Sequence, residues 1–239
     1  MSPPSAPSGL PLLLLPGLLC DQALWEHQIR HLEPLGPVIV PDLTGADSVA
    51  GLARAALAVA PPRFAVAGLS MGGYVAFEIL RQAPERVAKL ALVDTSARQD
   101  TDEQRERREA LIGLAQKGKF KGVTPRLLPL LVHRDHLALP AVADTIQAMA
   151  VRVGRDAFLR QQRAILDRPD SRPDCARVAV PTLVIVGRED ALTPVERAEE
   201  MAALVPDAKL AIIEHCGHLA PLEQPEATTA LLRLWLTQF

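Results

Sequence analysis

"FAVAGLSMGGYVAFEILRQA", residues 64–83, decides how the chain is read. Its first six residues are an unbroken apolar run, as expected of a parallel strand buried on both faces. From Met71 a helical pattern begins, and it stops at Ala83, before Pro84. Between the two lies Gly68-Leu69-Ser70-Met71-Gly72, a G-x-S-x-G pattern. A serine on a sharp strand-to-helix turn lifts its Oγ above the sheet edge, and so tight a turn has no room for bulky neighbours. The helix that follows offers backbone N–H groups and the positive end of its dipole to a developing oxyanion. Any glycine-rich strand end can carry the same five letters without chemistry. The strand and helix patterns flanking this one favour a nucleophile.

Working outward, similar apolar runs recur at 10–15, 37–40, 90–94, 182–186 and 210–213. Helical patterns alternate with them at 21–32, 48–60, 195–205 and 226–239. Such alternation predicts a doubly wound α/β fold with a mostly parallel sheet of about six strands. One interval breaks the rhythm. Residues 98–177 have helical patterns and no convincing strand, with Thr101 and Gln104 spaced as a capping box for a helix over 102–117. Two further helices are expected at 139–153 and 155–166, then an irregular link at 168–175. The expected division is therefore a core of 1–97 and 178–239 with an inserted helical cap at 98–177.

A serine needs a base, and the base needs an orienting carboxylate. In this fold type the chain order is serine, acid, histidine. "TLVIVGREDALTP" puts Asp190 just beyond a strand end, and "LAIIEHCGHLAP" puts His218 in the loop after the last strand. Asp94 also follows a strand end and is the rival acid; His215 is the rival histidine.

With these motifs in order, the chain resembles the α/β-hydrolase superfamily, in its branch of small bacterial esterases and enol-lactonase-like hydrolases. "GLSMGG", "VGREDALTP" and "CGHLAPLEQPE" are similar to that family's nucleophile, acid and histidine segments. The resemblance runs from about Leu10 to Phe239, is weakest over the inserted helices, and implies that these cap the site. It implies a catalytic triad of Ser70, Asp190 and His218. It also implies an oxyanion hole from the backbone N–H groups of Leu18 and Met71. This chain has Pro16-Gly17 where many relatives have His-Gly, and the family's usual leading antiparallel strands are not evident. Glu223 and Pro225 are expected to shape the entry to the final helix. The expected activity is hydrolysis of a small-molecule carboxylic ester, lactone or thioester without a cofactor. A perhydrolase or haloperoxidase-like enzyme, using the same triad, and a non-catalytic binding protein are the alternatives.

Composition narrows the rest. The 239 residues are 49% hydrophobic and 23% charged, with 3% aromatics and a net charge of -2. That is an ordinary globular profile, and it points away from nucleic-acid or membrane partners. The "LPLLLLPGLLCD" run at 10–21 could begin an exported lipoprotein, but no Lys or Arg precedes it and Leu19, before Cys20, is not small. With residues 1–8 as a disordered tail and only Cys20, Cys175 and Cys216, a cytoplasmic location is expected. Cys20 and Cys216 are expected as small packing residues near the site. "HCGH" at 215–218 has no second cluster to complete a metal site, so no metal is expected. Residues 98–177 carry 16 Lys and Arg against 11 Asp and Glu, a surplus of +5, against -7 for the remainder. This surplus is either a solvated helix surface or a basic face that attracts an anionic ester or an acyl group on an acyl-carrier protein. The inserted helices also offer Leu111, Leu127, Leu131, Met149 and Phe158 as an aliphatic wall or as plain packing.

Overall fold

The computed structural model describes residues 9–239, and the tail expected at 1–8 lies outside the described residues. The strands are β1 (Leu12–Leu15), β2 (Val38–Ile39), β3 (Phe64–Leu69), β4 (Val87–Val93), β5 (Thr182–Gly187) and β6 (Lys209–Ile213). The helices are α1 (Glu26–Leu32), α2 (Val49–Val59), α3 (Met71–Gln82), α4 (Asp102–Leu114), α5 (Pro140–Leu166), α6 (Arg172–Cys175), α7 (Val195–Leu204), α8 (Ala220–Glu223) and α9 (Pro225–Gln238).

The six strands form one sheet in the order β2-β1-β3-β4-β5-β6, and every pairing is parallel. Alternate residues of each strand serve opposite faces. Leu13, Leu15, Phe64 and Val66 pack with α2, α3 and α7. Leu12, Leu14, Ala65 and Ala67 pack with Trp25 and with Trp235 of α9. Every residue of β1, β3 and β5 is buried, so these runs are almost uniformly apolar rather than alternating. Each fully buried leucine contributes on the order of 1.5–3 kcal/mol of transfer free energy. The expected run at 37–40 yields only the two-residue β2, a half-buried edge strand.

The connections position the site. From β1 the chain steps outward to β2, then returns across β1 to β3. The carboxyl ends of β1 and β3 therefore flank the point where the winding direction reverses, where open α/β sheets leave a crevice. The residues after β1 and β3 are those expected to hold the oxyanion and the nucleophile.

Between β4 and β5 the described residues contain helices and no strand. The capping box forms: Thr101 Oγ1 accepts the Gln104 N–H at 3.3 Å, and Gln104 Oε1 accepts the Thr101 N–H at 3.0 Å. The helix it opens ends at Leu114 rather than 117, in a wide turn where Gly118 takes φ 75°. The two helices expected next are the halves of α5, broken where Gly154 takes φ 76° and ψ 176°. The expected link at 168–175 contains one helical turn, α6. The helix expected over 21–32 begins instead as a 3-10 turn, Gln22–Trp25, capped by Asp21. Among the described residues no helix is long and apolar enough to cross a membrane.

Candidate active site

β3 delivers the chain into a turn that side chains would block. A Cβ on Gly68 would lie 2.3 Å from Gly72 O, and one on Gly72 would lie 2.2 Å from Leu15 O. Glycine at both positions lets α3 start directly over the sheet. Ser70 itself has φ 53° and ψ -114°, a left-handed conformation that costs a non-glycine residue on the order of 1–3 kcal/mol. Two bonds hold it there: its N–H donates to Val93 O at 3.0 Å, and Thr95 Oγ1 donates to its carbonyl at 2.7 Å.

The loop after β1 lies against this turn. A Cβ on Gly17 would sit 2.9 Å from Leu69 Cδ2 and 3.5 Å from the Ser70 Cβ. The amides of Leu18 and Met71 donate to no acceptor among the described residues. Leu19 has φ 59°, and its N–H donates to Gln161 Oε1 at 3.1 Å. Gln161, fully buried in α5, also donates to Leu43 O at 3.0 Å. Nothing in the sequence singles out Gln161, because a glutamine inside an amphipathic helix reads as solvent-facing.

His218 is buried, and its Nδ1 lies 2.8 Å from Asp190 Oδ2 and 3.0 Å from Oδ1. Asp190 accepts from the Leu192 N–H at 2.8 Å, the Thr193 N–H at 2.9 Å and Thr193 Oγ1 at 2.7 Å. Burial works against the Asp190 charge, but His218 and the Thr193 bonds hold its carboxyl below the usual value. Burial likewise works against a charged His218, but the Asp190 carboxylate outweighs it and raises the imidazole above 6.5. Among the described residues Ser70 makes no hydrogen bond to His218, and catalytic serine–histidine bonds commonly tighten only around a substrate.

A model of the α/β hydrolase family matches residues 12–231. The chain belongs to the α/β hydrolase family. It is similar to the pimeloyl-[acyl-carrier protein] methyl ester esterase of Nitrosomonas europaea, at 28% identity over 92% of each chain. The enzyme of that name from Aromatoleum aromaticum is 32% identical over 92% of this chain and 96% of its own. Among solved structures, a thermophilic esterase from Thermogutta terrifontis superposes with a TM-score of 0.88. It is 32% identical, covering 97% of this chain and 90% of that one.

Within this α/β hydrolase, the rival residues have other partners. Asp94 is fully buried with φ 43°, and its two oxygens accept the Gly187 N–H at 2.9 Å and the Ala220 N–H at 3.0 Å. Burial, and then the nearby Asp190 carboxylate, push its carboxyl up to about 8. His215 is exposed at the surface and turned toward Asp135. Glu223 does more than open the last helix. Its buried carboxylate accepts the N–H groups of Gly217 (3.0 Å), Leu219 (3.1 Å) and His133 (2.6 Å), and the Nδ1–H of His136 (3.0 Å). It thereby ties the histidine loop of the hydrolase to the inserted segment. Cys20 and Cys216 are buried, as expected of packing residues. Burial pushes the Cys20 thiol up to about 12 and the Cys216 thiol further still, so neither is a nucleophile.

Of the five apolar residues of the insertion, Met149 and Phe158 are buried, Leu131 is half-buried, and Leu111 and Leu127 are exposed. Phe158 belongs to a small cluster with Leu19, Ala115 and Ala150, against which Leu18 and Phe120 pack. That cluster stands beside the Leu18 amide.

Proposed function

We propose that this carboxylic ester hydrolase forms its acyl-enzyme on Ser70. Ser70 Oγ attacks the acyl carbon while His218 Nε2 takes its proton. The proton passes to the leaving alcohol as the ester C–O bond breaks. Water then repeats the sequence and releases the acid. Asp190 keeps Nδ1 protonated and supports the imidazolium, and the Leu18 and Met71 amides receive the oxyanion. The observation that carries this reading is the 2.8 Å contact from His218 Nδ1 to Asp190 Oδ2, which commits that nitrogen and leaves Nε2 for the serine. A perhydrolase or a non-catalytic binding protein has less support, because the two acyl-carrier methyl ester esterases and the Thermogutta structure described above, two of them 32% identical to this chain, are all named as esterases.

In the same proposal, residues 98–177 form a cap and the acyl chain lies against the Leu18, Phe120 and Phe158 cluster. The substrate is a methyl or similar small-alcohol ester of an acyl chain borne on an acyl-carrier protein, as the names of the relatives suggest. Several arginines of the insertion are already paired: Arg108 and Arg168 with Asp100, Arg172 with Asp170, and Arg152 with Asp21 of the core. Lys117, Lys119, Lys121 and Arg126 are exposed and pair with no carboxylate among the described residues. This short strip fits the anionic phosphopantetheine arm of a carrier. A cytoplasmic location, compatible with three free cysteines, completes the reading.

The test compares kcat/KM for a neutral short-chain methyl ester and for a carrier-bound acyl methyl ester, at low and high salt. The carrier-bound ester is expected to be preferred, with a preference that shrinks as salt screens charge beyond a Debye length of about 10 Å at 0.1 M. Lys119→Glu with Lys121→Glu is expected to lower only the carrier-bound rate. Equal rates, unmoved by salt or by the double variant, would assign the enzyme to neutral small esters.

A further inference from the structure

The "HCGH" stretch at 215–218 lacks a metal-ligand partner within reach in the sequence, but folding supplies one. "HRDH", residues 133–136, comes from the segment between β4 and β5 and meets the histidine loop. Leu131 O accepts the His218 N–H at 3.0 Å. A Cβ on Gly217 would lie 2.9 Å from the His133 nitrogen, so the two backbones touch. The rings of His133 and His215 meet edge to face with centroids 5.5 Å apart.

Asp135 Oδ2 stands 3.5 Å from His133 Nδ1 and 3.5 Å from His215 Nδ1. One ligand atom from each of the three residues lies within 4.8 Å of the other two. A tetrahedral ion with ligands at about 2.1 Å separates its donors by about 3.4 Å. We infer that His133, Asp135 and His215 form a binding site for a divalent transition ion of the zinc class, with water completing its shell.

The surroundings fit that ion. Two imidazoles and a carboxylate suit zinc and its neighbours rather than calcium or magnesium. His133 Nδ1 accepts the Asp135 N–H at 3.2 Å, which fixes a lone pair on that nitrogen and the proton on Nε2. The ion takes over this lone pair from a long hydrogen bond. His133 Nε2 in turn faces Glu189 Oε1 at 3.9 Å, the carboxylate that commonly supports a metal-bound histidine from its far side. The side chains of His215 and Asp135 are 71% and 57% exposed, so an ion reaches them without any opening of the fold. None of the three is a member of the proposed triad. A bound ion joins the inserted segment to the histidine loop across the seam that Glu223 closes with hydrogen bonds.

Chelator-treated protein titrated with zinc sulfate tests this by equilibrium dialysis and thermal melting, with no substrate present. One zinc per chain is expected, with a melting temperature raised by about 5 °C when zinc is at roughly a hundred times its Kd. His215→Ala and Asp135→Asn are each expected to weaken binding at least about tenfold. His31→Ala, which removes a ring stacked on His27 at 4.1 Å, is expected to leave it unchanged. Zinc binding that survives His215→Ala, or that disappears with His31→Ala, overturns the assignment. So does the absence of binding up to roughly 1 mM zinc, which is a Kd too weak for a built site.

Discussion

The Asp94 carboxyl group accepts the backbone N–H of Ala220, two residues past His218, at 3.0 Å. Its other oxygen accepts the Gly187 N–H, three residues before Asp190. Asp94 thus organises both loops that carry the proposed acid and base through backbone bonds, with no hydrogen bond to either side chain among the described residues. Asp190→Asn is predicted to reduce kcat by about four orders of magnitude, because an amide favours the wrong imidazole tautomer. Asp94→Asn keeps one carbonyl acceptor and is predicted to cost far less. Kinetics of the two folded variants check this, and the reverse ranking would make Asp94 the orienting acid.

Ser70→Ala is predicted to reduce turnover by about a millionfold while leaving the fold intact. Both bonds that hold its backbone come from the main chain and Thr95, so they persist without the hydroxyl. Retention of a tenth of the activity would remove Ser70 from the mechanism.

Protonated His218 cannot accept the serine proton. Activity is therefore present above its pKa and lost below it. With that pKa raised by Asp190, the acid limb of kcat/KM is predicted to have its midpoint above 6.5. A pH profile on a neutral ester measures it, and a midpoint below that value would contradict the Asp190–His218 electrostatics.

Glu223→Gln replaces one acceptor oxygen with an amide that faces N–H donors. Up to three backbone amides and His136 compete for the oxygen that remains. The predicted loss of stability is about 2–4 kcal/mol, with a fall in kcat because Gly217 and Leu219 flank His218. Urea unfolding and steady-state kinetics read the two effects, and a stable variant with normal turnover would refute both.

Gly72→Ala is predicted to destabilise by roughly 3 kcal/mol, because the new Cβ meets the Leu15 carbonyl, and backbone cannot rotate away. Gly113→Ala, in open space on α4, is predicted to stabilise by up to about 1 kcal/mol. Denaturant midpoints of the pair separate a steric requirement from a general effect of adding a methyl group.

The strands at 64–69 and 182–186 were legible because burial on both faces leaves only apolar residues, and β3 and β5 begin where expected. The break in α5 was legible because Gly154 tolerates a conformation that ends a helix. Single-residue motifs such as Ser70 and Asp190 announce themselves by their position after a strand. What sequence hides is adjacency across distance. Nothing in "HRDH" points to "HCGH", and nothing marks Glu223 as the acceptor shared by both segments. Left-handed backbone at Leu19, Ser70, Asp94 and His215 is equally invisible, since none of the four is glycine.

The chain leaves the sheet at Val93 and re-enters at Thr182, and β4 and β5 pair side by side with Leu90 opposite Thr182. Folding must close this long excursion before β4 and β5 can meet, which favours slow collapse into the native topology. The entropy of closure grows only logarithmically, by about 0.6 kcal/mol for each doubling of length. Lengthening, shortening or exchanging the excursion therefore perturbs the sheet little. The proposed cap can therefore diverge while the scaffold beneath it stays constant, and transplanting residues 98–177 between related chains is predicted to shift ester preference, as kcat/KM over a panel of esters would show.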